Sequence, residues 1–175
     1  MNPQTPPSQS SYLLPEVSSE MRRTVEEGIA TLGKEAYAKQ AGERLVKSDP
    51  ALVQELEHWA VEYPAEVRDG IYMTAALTYA ALADSGPIPL LSFAAAQHVR
   101  QLLSVNGDEA FFLAAAERVK ARNPGLMNVV AGTTELLLPR ELSPAQKILA
   151  ASTMILVHEL LHEQASLQQQ PAVQA

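Results

Sequence analysis

An all-α fold, a compact Ala-rich bundle of six or seven helices between disordered N- and C-terminal tails, is predicted from three observations. Alanine clusters in "MTAAL", "FAAAQ" and "FLAAAERV", while aromatic residues make up only 5% of the chain. Alanine is the best helix former and adds no β-branched bulk, so packed helices are favoured over sheets. Helix starts punctuate the chain, two of them with a capping side chain just before a proline. Finally, 175 residues with 47% hydrophobic and 19% charged content suit one globular domain with a real core.

The elements follow in order. "MNPQTPPSQSSY" is rich in Pro, Gln and Ser and lacks the basic and apolar regions of a signal peptide, so residues 1–13 are expected to be a tail. The first helical segment covers 16–47, broken near Gly33 or Gly42. Asp49 caps the next, 50–62, with Pro50 at its first position, where a missing N–H costs nothing. A helix over 65–84 ends at "DSGPIP", and another covers 90–104. "NGDEAFF" opens 108–122, and "RNPG" separates it from 125–138. Ser143-Pro144 opens the last helix, 143–165, where Gln146 is placed to close a capping box with Ser143. "QASLQQQPAVQA" is polar and of low complexity, so 167–175 is expected to be a second tail and 14–166 a single domain.

Gly70 to Gln97 carries one charge, Asp84, but the Gly-Pro break divides it into halves too short to span a bilayer as helices. A buried helical hairpin is expected instead. A net charge of -7 opposes attraction to nucleic-acid phosphates, and Arg118, Lys120 and Arg122 read as a solvated helix face. No cysteine is present, which removes disulfide and thiolate chemistry. The few glycines are scattered and form no phosphate loop, and no G-x-S-x-G elbow occurs. His98 reads as a helix-boundary or interface residue and Trp59 as a core anchor.

The sharpest chemical feature is "MILVHELLHEQ", Met154 to Gln164. His158-Glu159-Leu160-Leu161-His162 spells HExxH, and residues four apart share a helix face, so both imidazoles can reach one metal. Over these five residues the chain resembles the zincin metalloproteases, which implies His158 and His162 as zinc ligands and Glu159 as general base. Zincins usually take a third ligand from downstream. Here only Glu163 follows as a carboxylate, so an upstream ligand, His58 or His98 for example, would depart from the zincin pattern.

The same helix contains Glu159-x-x-His162, and Glu55-x-x-His58 repeats the spacing. Two such motifs resemble the ferritin-like di-iron proteins, which implies bridging carboxylates from among Glu26, Glu27, Glu35, Glu43, Glu109 and Glu117. The helical wheel opposes this for the first motif. Leu52, Leu56, Trp59 and Tyr63 form an apolar stripe, and Glu55, His58 and Glu62 lie on a flank expected to be solvated. HELLH sits where the last helix turns from apolar to polar, as a helix emerging from the core would.

The function expected from these features is a non-enzymatic helical protein-interaction module, an adaptor or scaffold in the cytoplasm. It would self-associate as a homodimer through apolar helix faces or bind another protein, with no nucleic acid, membrane or cofactor. The alternative is a metal-binding helical protein centred on the last helix, either an HExxH zinc hydrolase or a ferritin-like di-metal bundle holding iron. Its metal candidates are His158, Glu159 and His162, then Glu55 and His58, and Glu159 is its catalytic candidate. An interaction module is expected to tolerate His158→Ala and His162→Ala; a metal protein is expected to lose metal and stability with either.

Overall fold

The computed structural model describes residues 12–170, and the remainder of both expected tails lies outside the described residues. Eight helices are present among them, with no strand: α1 (Met21–Leu32), α2 (Lys34–Ser48), α3 (Pro50–Ala60), α4 (Ala65–Ser85), α5 (Phe93–Asn106), α6 (Asp108–Arg122), α7 (Pro124–Leu137) and α8 (Pro144–Gln169). The expected six or seven becomes eight because the first segment divides at Gly33, whose φ of 87° suits a residue without a Cβ. Gly42 stays within α2. α8 also outruns its expected end and reaches Gln169, carried by the burial of Gln164 and Ala165.

The expected caps form. Asp49 accepts from Leu52 N at 3.1 Å to start α3, and Ser143 and Gln146 make both bonds of a capping box at the start of α8. No helix is long and apolar enough to cross a membrane. α4 is buried nearly all round and packs on α8 and α2, while α5 and α6 flank α8 and α7 lies against α1 and α4. A smaller cluster, including Val67, Ile71, Leu138 and Ala150, packs separately from the main core.

Two non-helical segments are fastened by buried polar side chains. The stretch after α4 is held where Asp49 Oδ2 accepts from Leu91 N at 3.0 Å and Gln164 Oε1 accepts from Ser92 N at 2.8 Å. Burial raises the Asp49 carboxyl above its ordinary range, although the Leu91 and Leu52 amides pull it back. Asp49→Ala therefore removes a helix cap and orphans the Leu91 N–H, while relieving a desolvated charge. The expected net loss is about 2 kcal/mol, read as a lower urea midpoint at unchanged m-value.

The second segment is a strap, residues 12–18, laid across the start of α7. Asn123, fully buried, holds it through three bonds: Oδ1 accepts from Val17 N at 2.9 Å, and Nδ2 donates to Pro15 O at 2.9 Å and to the Tyr12 hydroxyl at 2.7 Å. Gly125 lies so close beneath that a Cβ built on it would stand 1.8 Å from Val17 O. Tyr12 and Leu13 thus belong to the packed structure rather than to the expected tail.

Candidate functional site

The strap delivers Tyr12 to the middle of α8, and a directed chain of hydrogen bonds results. The Tyr12 oxygen accepts from Asn123, so its own proton is free to point at His158 Nε2, 2.8 Å away. With Nε2 accepting, His158 carries its proton on Nδ1, which faces Glu159 Oε1 at 3.1 Å. Glu159 Oε2 then accepts from the Arg118 guanidinium at 2.6 Å, crossing to α6. Each donor meets an acceptor in one tautomer, the condition under which a partly buried network orders its members.

His162, one turn on, adds a third ring. Tyr12, His158 and His162 have centroids 5.7–5.9 Å apart, with interplanar angles of 16°, 24° and 9°. The His162 nitrogens have no hydrogen-bond partner among the described residues. These rings form one wall of a cleft of about 350 Å³, completed by Glu117, Arg118, Ala121, Arg122 and Glu159.

Burial and charge tune each group differently. Burial is the main reason the Tyr12 phenol is pushed up to about 12; the Asn123 bond opposes it, and the Glu16 and Glu159 charges add to it. Burial would raise Glu159 too, but its bonds to His158 and Arg118 outweigh that, and the carboxyl ends below its ordinary value. Burial lowers His162, assisted by His158 and partly opposed by Glu159 and Glu163.

The sign for stability follows from linkage. His162 is lowered from 6.5, so the unfolded chain binds more protons just beneath that pH. Stability is full above 6.5 and falls as the medium is acidified through the window below it. Glu159 acts likewise below 4.5. Thermal melts from pH 7 down to about pH 5.5 are expected to show a falling midpoint, and His162→Gln is expected to flatten that slope.

Several expectations are corrected here. HELLH is not the emerging polar end of the helix: His158 is only 2% exposed, and the buried face continues to Ala165. His158→Ala would therefore destabilise the fold with or without a metal, so loss of stability does not separate the two readings. His98 lies within α5 and pairs with Glu163 at 2.5 Å. The Arg118–Arg122 face is exposed, as expected, and both arginines also line the cleft. Trp59 is half-buried and packs against Phe112.

The two E-x-x-H motifs do not come together at one site. Glu55 and His58 line a separate cleft between α3, α5 and α8, where Glu55 is held by both arms of Arg100 and is no free carboxylate. His58 is exposed, as the wheel predicts. A zinc or iron site on HELLH would require His158 to leave Tyr12, or Glu159 to leave Arg118. Among the described residues no three His, Asp or Glu gather as a metal-ligand set. Sequence reading missed Tyr12 and Asn123, and it named Arg118 and Arg122 only as a solvated face, apart from HELLH.

The fold and site define a class only: an all-helical bundle with an aromatic, partly polar cleft closed by an N-terminal strap. Compared with family models, curated proteins and solved structures, the chain matches none.

Proposed function

We propose that this protein is a non-enzymatic helical binding module whose ligand enters the cleft between the strap, α6 and α8. The observation that carries this is the convergence of three near-parallel rings and two arginines on one half-enclosed space of about 350 Å³. That is the low end of ordinary small-molecule pockets, and apolar walls with a few convergent polar groups are what such pockets share.

Tyr12, His158 and Glu159 have the outline of a hydroxyl–imidazole–carboxylate triad. Their energetics favour holding over reacting. The phenol is raised rather than lowered, its oxygen is already occupied by Asn123, and both Glu159 oxygens are engaged. The network joins strap, α6 and α8 and leaves the cleft surface to bind.

The test is protein-observed NMR titration with benzoate, phenol, indole and cyclohexanol. At least one is expected to bind and shift the Tyr12 and His162 ring protons, and Ala121→Trp, which fills the cleft, is expected to abolish the effect. No shift with any of them overturns the reading. Stoichiometric zinc or iron in untagged protein would replace it with the metal alternative.

A second reading, self-association, is favoured by the α5–α6 hairpin. Val105 and Leu113 are 83% and 63% exposed, beside a groove lined by Leu102, Ala110 and Ala114. A mass that rises with concentration, and stays monomeric in Val105→Glu, would support it; a constant monomer mass would sink it.

A further inference from the structure

We infer that the Tyr12 end of the strap is a proton-operated catch: protonating His158 lifts Tyr12 off α8 and opens the cleft, while the rest of the strap stays seated. As a control on binding this rests on the cleft reading above; the movement itself does not.

The catch follows from a single direction of hydrogen bonding. The buried Val17 N–H needs an acceptor, which sets Asn123 with Oδ1 toward Val17 and Nδ2 toward Pro15 O and the Tyr12 oxygen. Tyr12 then sends its proton to His158 Nε2, its only other hydrogen-bond partner among the described residues. His158 accepts there only as the neutral imidazole with its proton on Nδ1, facing Glu159. A second proton on His158 has to sit on Nε2. Two donors, Nε2–H and Asn123 Nδ2–H, would then converge on the phenol oxygen, and the Tyr12 proton would lose its acceptor. Such a mismatch is costly out of water, so one of the two rings has to yield.

The surrounding charges decide which. Glu159, on the same helix, already pairs with His158 Nδ1 and holds an imidazolium where it is. Arg118 of α6 shares that carboxylate and opposes the added charge, as does His162 when protonated. Glu117 and Arg122, also of α6, face the cleft with opposite signs. Glu163 is engaged by His98 of α5, and α4 and α7 bring no charged side chain among their buried residues. Glu16 lies on the strap and acts on Tyr12. His158 is therefore retained and Tyr12 yields. The strap beyond it has anchors that do not titrate: Asn123 on Val17 and Pro15, and Pro15 against Gly86. Since the open form binds the extra proton, opening grows as the pH falls.

The experiment is an NMR titration of the full chain with isotope-labelled histidines, from about pH 7.5 to about pH 5, across the ordinary imidazole range. Ring-nitrogen shifts give the state of His158, nuclear Overhauser contacts from the Tyr12 ring to the two histidines report the catch, and amide exchange at Val17 reports the rest of the strap. The ring contacts are expected to vanish in step with His158 protonation, with Val17 protection kept. His158→Gln still offers Tyr12 an acceptor and cannot titrate, so its Tyr12–His162 contact is expected to persist throughout. His162→Gln is expected to lose the Tyr12–His158 contact as the wild type does. Should His158→Gln not fold, the other two titrations decide. Ring contacts that survive once His158 is charged overturn the inference, as does a His158 that stays neutral until the fold is lost, or Val17 protection lost together with the contacts. The cleft reading fails separately, when the catch operates but none of the four small compounds binds.

Discussion

Asn123→Ala is expected to lower the stability of the fold by about 2–4 kcal/mol and to release residues 12–18 from the body of the protein. The side chain is wholly buried and makes three hydrogen bonds to the strap, so truncation does more than delete them. It leaves the buried Val17 N–H and the Pro15 carbonyl without their partner and opens a void at the start of α7. Orphaned buried groups cost about 1–3 kcal/mol each before any relaxation. Tyr12→Phe, which removes only the hydroxyl links to Asn123 and His158, should cost about 1 kcal/mol or slightly more. Urea unfolding gives the magnitudes, and amide exchange at Val17 gives the location. An Asn123→Ala protein with wild-type protection at Val17 would show that the strap is held by something else.

The second large effect is expected at Gly125. An alanine there gains helix propensity of about 1 kcal/mol, which would stabilise an open site. Here the added Cβ would meet Val17 O at 1.8 Å and Val17 C at 2.7 Å, atoms of a backbone rather than the end of a side chain. The strap has to lift, and with it go the Asn123 bonds. A net destabilisation of about 2–3 kcal/mol is expected, with chemical-shift changes at Tyr12 and His158 marking the loss of their contact. Gly70→Ala is the control. Its Cβ would meet side-chain atoms only, Leu138 Cδ2 at 3.0 Å and Ala150 Cβ at 3.3 Å, and a smaller loss is expected. Equal effects at the two glycines would mean that the strap contact has no special weight.

The fold is largely legible in the sequence because its signals are local. Asp49-Pro50 and Ser143-Pro144 with Gln146 mark helix starts through hydrogen bonds spanning at most a few residues, and Asn123-Pro124 marks another without a side-chain cap. Gly33 and Gly42 show the limit: both can break a helix, and only the packing of α1 against α2 and α7 selects the first. The site is legible in one half. HELLH stands out by composition and spacing, and His158, Glu159 and His162 do line a cleft. Its meaning depends on Tyr12, 146 residues away in sequence, and on Arg118 from another helix. No periodicity carries such information. Glu55 and His58 repeat the motif without sharing the site, because spacing along a helix says nothing about which helix faces it.

The strap also has a consequence for synthesis. Tyr12 is made early and His158 late, so during translation the cleft has only one side until nearly all of the described chain has emerged. Residues 12–18 can dock only once α7 supplies Asn123 and Gly125 and α8 supplies His158. A chain arrested after α7 would lack α8 and with it the cleft wall that His158 and His162 supply.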